Sequence, residues 1–267
     1  MIGVFDSGYG GLPILDCIRK KLPQYSYVYL GDNAHAPYGP KTDEEIFELT
    51  KNGVEQLFEK GCTLVILACN TSSASALRKL QQEWLSITYP DKKILGIIVP
   101  TAEAVSDNNY KTIGILATQH TVNTNVYEQE IHKRNPNSSI IQQPCNNLAG
   151  LIEQYGAHDQ RVLDEVKTCV SSLVSPSHNL DAVLLGCTHY ELIADTIQKL
   201  LPESTILIRQ PEIVAVSLQN YLERHPEIEK NLQKNSQCTY LTTGDPQQVS
   251  AKSSSLMQEE VVFEKLK

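Results

Sequence analysis

Val65-Ile66-Leu67-Ala68-Cys69-Asn70-Thr71 is an apolar run that ends abruptly in polar side chains. Consecutive apolar residues are typical of a strand buried on both faces of a parallel sheet, whereas a half-buried strand alternates with polar residues. A similar stretch, Val183-Leu184-Leu185-Gly186-Cys187-Thr188-His189, recurs in the second half of the chain. The two stretches predict an α/β protein in which a cysteine follows a buried strand twice.

Around these strands, short apolar runs alternate with amphipathic stretches, which indicates strands joined by crossover helices. Residues 2–5 are predicted as the first strand, and residues 112–116 as its counterpart in a second half. Residues 42–45 fit a capping box, so a helix is expected to begin there. Residues 94–99 are predicted as another strand, which ends at Pro100. The repetition favours a duplicated βα plan.

Length and composition agree with this plan. A chain of 267 residues with 41% hydrophobic and 20% charged residues is globular, and its length suits two modest lobes. The charge of −8, from 31 acidic and 23 basic residues, disfavours a nucleic-acid surface, so we expect no nucleic-acid partner. No stretch rich in Gly, Ser or Pro separates independent domains, so the lobes are expected to pack tightly.

The seven cysteines are an odd set without a C-x-x-C pair, which disfavours a disulfide framework and a zinc ribbon. Most are therefore expected to be free thiols. Residues 1–5 enter an apolar run without the pattern of a signal peptide, and no apolar stretch approaches the roughly 20 residues of a membrane helix. We expect a cytoplasmic protein with no membrane partner.

Ligands of open parallel sheets bind at the carboxyl ends of strands, and the residues that follow the predicted strands are unusually polar. These polar exits are Asp6-Ser7-Gly8, Gly31-Asp32-Asn33, Cys69-Asn70-Thr71, Thr118 and Cys187-Thr188-His189. The glycine-rich turn after Asp6 is not a nucleotide loop, because Pro13 occupies a required glycine position and no Gly-Lys-Ser/Thr follows. It is either a plain tight turn or a turn that presents backbone N–H groups to an anion such as a carboxylate.

Cys69 and Cys187 each precede a predicted helix, whose positive end is expected to lower the thiol pKa from about 8.5 towards neutrality. Zinc binding by both thiols and His189 is an alternative, but the spacing is unusual and a fourth ligand is missing, so no metal is expected. A Cys-His nucleophile for acyl transfer is a second alternative, which leaves one cysteine without a role. Two thiols from equivalent positions suit proton removal from one face of a carbon and delivery to the other, which is racemisation.

At this point the chain resembles the glutamate racemases of the aspartate/glutamate racemase family over nearly its whole length. The motifs that carry the resemblance are Phe5-Asp6-Ser7-Gly8 with Gly10-Gly11, Gly31-Asp32 with Pro37-Tyr38-Gly39, Ala68-Cys69-Asn70-Thr71, Thr118 with Thr121, and Gly186-Cys187-Thr188-His189-Tyr190. The sequence departs from the usual family pattern at residues 33–36 and 146–150. The resemblance implies interconversion of L- and D-glutamate without a cofactor or metal, which supplies D-glutamate for peptidoglycan and so for the cell wall and cell shape.

The resemblance also implies two similar α/β lobes with the active site in the cleft between them. The first lobe is expected to comprise residues 1–98 plus 209–267, and the second residues 99–208. A homodimer is expected because members of this family commonly form dimers.

Residue roles follow from the same resemblance. Cys69 is expected to act on the D-enantiomer with help from Asp6, and Cys187 on the L-enantiomer with help from His189. Glu153 matches a further carboxylate near the site. The residues expected to bind the substrate are Ser7, Tyr38, Gly39, Asn70, Thr71, Thr118, Thr121 and Thr188.

Two other functions remain open from the sequence. An aspartate racemase, or a related amino-acid racemase, shares the same plan and differs only in its substrate contacts. A non-catalytic dicarboxylate-binding protein would keep the cleft but not the chemistry, and the intact residues Asp6, Cys69, Cys187 and His189 disfavour it.

Overall fold

The computed structural model describes residues 1–174, 179–257 and 259–266, which form two parallel sheets flanked by helices. The strands of these residues are β1 (Ile2–Asp6), β2 (Tyr27–Gly31), β3 (Leu64–Leu67), β4 (Lys93–Gly96), β5 (Thr112–Ala117), β6 (Ser139–Pro144), β7 (Ala182–Gly186), β8 (Ile206–Ile208), β9 (Cys238–Thr242) and β10 (Phe263–Lys265).

The α-helices are α1 (Leu12–Lys21), α2 (Asp43–Glu59), α3 (Asn70–Ser75), α4 (Leu77–Lys79), α5 (Ser86–Thr88), α6 (Ile98–Asp107), α7 (Gln119–Thr124), α8 (Val126–His132), α9 (Leu148–Tyr155), α10 (Gln160–Leu173), α11 (Ala194–Leu200), α12 (Gln210–Arg224), α13 (Pro226–Glu229) and α14 (Pro246–Met257). A π-helical segment, Leu80–Leu85, joins α4 to α5, and a 3₁₀ helix, Thr188–Ile193, precedes α11.

The two sheets use different parts of the chain. The six-stranded sheet has the order β10-β9-β2-β1-β3-β4, so the last two strands complete a sheet begun by the first residues. The four-stranded sheet has the order β6-β5-β7-β8 and is built from consecutive strands. This architecture confirms the predicted α/β fold with two lobes. The lobe boundaries at residues 98/99 and 208/209 stay predictions, and residues 175–178, 258 and 267 within those ranges lie outside the described part.

Each sheet is buried on both faces because its strands are continuously apolar. In β1, Ile2 and Val4 point into a core that includes α1 and α12, whereas Phe5 points into the opposite core, against α2. In the second sheet, Leu184 and Leu185 likewise belong to cores on opposite faces. Because the side chains alternate between two covered faces, a ligand cannot reach the faces of the sheets. It can reach the loops at the carboxyl ends of the strands.

Local signals in the sequence explain where two helices begin. The side chain of Thr42 accepts a hydrogen bond from the N–H of Glu45, and the Glu45 carboxylate accepts one from the N–H of Thr42, which confirms the predicted capping box. The strand predicted for residues 94–99 is wrong in its second half, because β4 ends at Gly96 and α6 begins at Ile98. Pro100 lies in the first turn of α6, where no intrahelical N–H donor is needed.

Among the described residues, no helix is both long and apolar enough to cross a membrane.

Candidate active site

Cys69 lies directly after β3 and is the N-cap residue of α3. Its sulfur accepts a hydrogen bond from the N–H of Ser72 at 3.4 Å and donates one to the hydroxyl of Ser7 at 3.6 Å. The residue is only 5% exposed. The thiol of the first lobe is therefore held by neutral backbone and hydroxyl groups.

The prediction that the helix lowers the thiol pKa is wrong for Cys69. Burial raises the pKa of this thiol, the charge of Asp6 raises it further, and the hydrogen bonds with Ser72 and Ser7 oppose the rise without cancelling it. Because α3 has only six residues, its N-terminal potential is weak beside the cost of burying a thiolate. Cys69 is therefore held as a neutral thiol.

Asp6, the last residue of β1, is fully buried and connects the two lobes. One carboxylate oxygen accepts the N–H of Gly8 at 3.0 Å, and the other accepts the hydroxyl of Thr188 at 3.1 Å. Burial raises the pKa of Asp6, while the charge of His189 acts in the opposite direction. The Gly8 N–H, which the sequence suggested for an external anion, is thus used by the protein's own carboxylate.

Cys187 follows β7 at the corresponding position of the second lobe, and a 3₁₀ helix rather than an α-helix begins after it. Its sulfur lies 3.9 Å from Nδ1 of His189, and Nε2 of the same ring lies 2.6 Å from Oε1 of Glu153. We call these three side chains the Cys187 triad. The thiol of the second lobe is therefore linked to titratable groups.

The contacts within the Cys187 triad change the pKa of His189. Burial by itself lowers the pKa of His189, but the hydrogen bonds and charges of Cys187 and Glu153 outweigh burial and raise that pKa well above its ordinary value. The hydrogen bonds with Cys187 and Glu153 therefore favour the protonated form of His189.

The glycine-rich turn lets the two lobes approach each other closely. A methyl group on Gly8 would overlap the carboxylate oxygen of Glu153, and one on Gly10 would lie 2.7 Å from the hydroxyl oxygen of Thr188. Glycine at these two positions leaves room for side chains of the second lobe to pack against the backbone of the first.

Threonine hydroxyls form a second bridge between the lobes. Thr71 and Thr118 have their hydroxyl oxygens 3.2 Å apart, and the Thr118 hydroxyl donates to that of Thr121 at 3.1 Å. Gly39 also faces this bridge, because a Cβ there would lie 3.2 Å from the Cβ of Thr118. These hydroxyls can donate to a carboxylate instead of to one another, so that no buried hydroxyl is left without a hydrogen-bond partner.

Tyr38 and Asn70, both expected to bind the substrate, have side chains that bind protein groups instead. The Tyr38 hydroxyl donates to Asp32 at 2.5 Å. The Asn70 amide donates to Gln210 at 2.8 Å, and its oxygen accepts the hydroxyl of Tyr127 at 2.5 Å. In this conformation neither side chain offers its main polar atom to a ligand.

A cleft of about 500 Å³ opens between the lobes. Pro37 and Gly39 line it from the first lobe, and Thr118, Asn147 and Glu153 line it from the second. Cys69 and Cys187 do not line this cleft, and both are buried. In this conformation the thiols are therefore closed to a ligand in the cleft.

The structure thus brings together most of the predicted residues. Hydrogen bonds join Cys187, His189 and Glu153, and a separate one joins Asp6 and Thr188. The charge of Asp6 acts on both His189 and Cys69. In the part of the chain that the structure describes, no group of three or more His, Cys, Asp or Glu side chains is arranged to hold a metal ion.

Sequence reasoning missed three residues at this boundary: Tyr9, Tyr127 and Gln210. Tyr9 lies in the middle of the glycine-rich turn. A bulky aromatic residue in such a turn is the sequence feature that could have identified it. Its ring centroid lies 5.8 Å from that of His189. Tyr127 and Gln210 carry no motif, and their importance comes only from their buried contacts with Asn70.

The sequence profile of the family described as "Asp/Glu/Hydantoin racemase" matches residues 14–216. The chain belongs to this family. It is 39% identical to a glutamate racemase from Paracoccus denitrificans over 98% of both chains, and 42% identical to one from Caulobacter sp. over 92% of both. These findings confirm the family that the motifs indicated, and with it an isomerase.

Solved structures of this racemase family share the fold. A glutamate racemase isoform from Bacillus anthracis has a TM-score of 0.89 at 29% identity and covers 100% of this chain and 97% of its own. The enzyme from Francisella tularensis, solved with D-glutamate, has a TM-score of 0.85 at 30% identity with the same coverage. An aspartate racemase from Picrophilus torridus shares only the fold, with a TM-score of 0.57 at 18% identity over 83% of this chain and 94% of its own.

Proposed function

We propose that this protein is a cofactor-independent glutamate racemase that interconverts L- and D-glutamate by proton transfer between two cysteines and the α-carbon. The observation that carries the proposal is the placement of Cys69 and Cys187. They follow corresponding strands of the two lobes, and each has its own set of hydrogen-bonding partners. Two thiols on opposite sides of one site are what a two-base reaction requires.

The different surroundings of the two thiols support a division of labour. In the direction from L- to D-glutamate, the thiolate of Cys187 beside protonated His189 removes the α-proton. The neutral thiol of Cys69 then delivers its own proton to the opposite face of the α-carbon. After this turnover Cys69 is the thiolate and Cys187 the thiol, so protons must be redistributed before the next L-glutamate reacts, whereas D-glutamate meets the correct states at once.

Burial serves the same reaction. The carbanion that forms at the α-carbon is stabilised by hydrogen bonds, which are stronger when water is excluded. Asp6, with its raised pKa, and the imidazolium of His189 lie next to the two thiols and hold or move protons at those atoms. Opening and closing of the lobes admits the substrate and then removes water from it.

Glutamate is the proposed substrate because the most similar relatives carry that name over nearly their full length. The hydroxyls of Ser7, Thr71, Thr118, Thr121 and Thr188, with the backbone of Gly39 and Asn70, are the proposed carboxylate and ammonium ligands. Tyr38 is proposed to position the loop around Gly39 through Asp32. We propose further that the enzyme works as a cytoplasmic homodimer and supplies D-glutamate for peptidoglycan.

The decisive experiment is exchange of the α-hydrogen in heavy water. Each enantiomer of glutamate and of aspartate is incubated with the purified enzyme in the presence of a chelator and without added cofactor. We expect loss of the α-proton signal from both glutamate enantiomers and slow or no exchange with aspartate. Faster exchange with aspartate would make the chain an aspartate racemase, and no exchange with any of the four would support a non-catalytic binding protein.

A further inference from the structure

Two side chains of the first lobe, those of Tyr9 and Lys252, donate to backbone carbonyls at the end of α9. This helix carries Glu153 near its C-terminus, where the carbonyl of Ile152 also accepts the backbone N–H of the C-cap residue Gly156 at 2.9 Å. The hydroxyl of Tyr9 lies 3.1 Å from the carbonyl oxygen of Ile152 and 3.0 Å from that of Glu153. Tyr9 belongs to the turn after β1, so the helix end is held by the opposite lobe.

Lys252 is a second donor to the carbonyl oxygen of Glu153. Its ammonium group donates to the carbonyl oxygen of Glu153 at 2.7 Å. Lys252 lies in α14, which packs against α1, β9 and β10 of the first lobe. A lysine at a helix C-terminus is ordinary capping, but here the donor belongs to an element at the far end of the chain.

Glu153 is therefore held at both ends. Its backbone carbonyl is fixed by Tyr9 and Lys252, and its carboxylate binds His189 at 2.6 Å. The carboxylate also packs directly against the backbone of Gly8, which leaves little room for it to move sideways. A shift of the helix end by even 1 Å would stretch the bond to His189 beyond good hydrogen-bonding distance.

We propose that Tyr9 and Lys252 are positioning residues, which hold Glu153 against His189 and so serve the proton transfer at Cys187 rather than the one at Cys69. This inference rests on the proposed racemase function. It assigns to the C-terminal helix a part in catalysis although that helix contributes no group to the reacting atoms.

The alternative is that both contacts only stabilise the fold, and three variants distinguish the two roles. Lys252→Met keeps the aliphatic stem but removes the donor, and Lys252→Arg keeps a donor. Tyr9→Phe keeps the ring beside His189 but removes the hydroxyl. Lys92→Met is the matched control, because Lys92 also donates to backbone carbonyls, those of Phe58 and Cys62, but within the first lobe.

Isotope effects provide a readout that a loss of folded protein does not change. Because the two enantiomers have equal free energy, kcat/KM must fall equally in both directions, and the ratio of directions carries no information. Deuterium at the α-carbon of L-glutamate is removed by Cys187, and deuterium of D-glutamate by Cys69. When the Cys187 step becomes slower, the isotope effect on kcat/KM rises for L-glutamate and falls for D-glutamate.

We expect Lys252→Met and Tyr9→Phe to lower kcat/KM by about tenfold, since small misplacements of catalytic groups have effects of up to about a hundredfold. Both variants should show the opposite changes in the two isotope effects, and Lys252→Arg should restore most of the wild-type behaviour. Lys92→Met should leave kcat/KM and both isotope effects unchanged. Unchanged isotope effects in Lys252→Met and Tyr9→Phe would overturn the proposal, whatever happens to the rate.

A second readout does not depend on turnover. The pKa of His189, followed by NMR of the imidazole nitrogens, should fall in Lys252→Met because Glu153 no longer holds the ring. The titratable groups that face this ring are Asp6, Tyr9, Glu153 and Cys187. If the wild-type enzyme does not racemise glutamate but the His189 pKa still falls in the variant, the proposed function fails and the positioning role survives. If the enzyme is a racemase and the pKa does not move, the positioning role alone fails.

Discussion

The two thiols stand at corresponding strand ends, but the protein surrounds them differently. Cys69 is bound by the N–H of Ser72 and the hydroxyl of Ser7, and burial keeps it neutral. Cys187 lies beside His189, whose pKa is raised and which is held in turn by Glu153. The difference shows that a repeated backbone plan sets where the two sulfurs lie, whereas the neighbouring side chains give each sulfur its own electrostatic surroundings.

The largest expected effect comes from removing either sulfur, which tests whether both sides are needed. Cys69→Ala and Cys187→Ala should each lower interconversion in both directions by about 10²–10⁴-fold, the usual contribution of a positioned acid or base. Circular dichroism of each enantiomer follows the reaction. Cys238→Ala, which removes a half-buried thiol outside the site, should stay close to wild type. Wild-type turnover in either of the first two variants would exclude the two-thiol mechanism.

A smaller effect should follow from making the Cys187 side resemble the neutral Cys69 side. Glu153→Gln keeps a hydrogen-bond acceptor but removes the charge that helps to raise the pKa of His189. The pKa of His189 should therefore fall, so that the imidazolium is lost at lower pH than in the wild type. We expect a decrease of about tenfold in kcat/KM at neutral pH and a shift of the basic limb of the pH profile to lower pH. If the basic limb does not shift, His189 does not take part in the proton transfer at Cys187.

Gly8→Ala tests the same contact without touching a titratable residue. The new methyl group would displace the flexible carboxylate of Glu153 rather than the backbone, so the fold should survive while the bond to His189 is lost. We expect a decrease in kcat/KM of up to about tenfold with a pH profile like that of Glu153→Gln. Gly150→Ala, whose Cβ would lie 3.6 Å from the ring of Pro37, is the matched control at an uncrowded glycine. Full activity in Gly8→Ala would show that the close packing is dispensable.

The smallest effect concerns stability. Burial raises the pKa of Asp6, so the folded state binds its proton more tightly than the unfolded state, whose value is near 3.8. Wild-type stability should therefore fall as the pH rises from 3.8 through the raised pKa. Asp6→Asn removes this cost, and its melting temperature should exceed that of the wild type by a few degrees at neutral pH, while activity decreases. The gain should vanish below the unfolded pKa, and equal gains at all pH values would contradict this account.

The parts of the molecule that the sequence predicted well are those with local or periodic signals. β1, β3, β5 and β7 are central strands buried on both faces, so continuous apolar runs identified them. β6 was missed because it is an edge strand with a polar sequence, Ser139-Ile140-Ile141-Gln142-Gln143-Pro144, that stays partly exposed. Apolar periodicity does not mark a strand with one free edge and half-buried faces.

The site shows the same limit. Motifs identified Asp6, Cys69, Cys187 and His189, because each follows a strand whose position is predictable. The thiol pKa of Cys69 was predicted in the wrong direction, since the cost of burial depends on tertiary packing that no local pattern records. The contacts of Lys252 with Glu153 join residues that are 99 positions apart, and only the folded chain brings them together.

The order of strands in the six-stranded sheet has a consequence for how the protein is made. β9 pairs with β2, and β10 pairs with β9, so the sheet that holds Cys69 remains unfinished until residues 238–265 have been synthesised. The four-stranded sheet needs only residues 112–208 and can form earlier. A chain whose synthesis stops after β8 would present β2 as a bare edge, which is a template for aggregation. Chains that stop between β8 and β9 should therefore be insoluble rather than partly active.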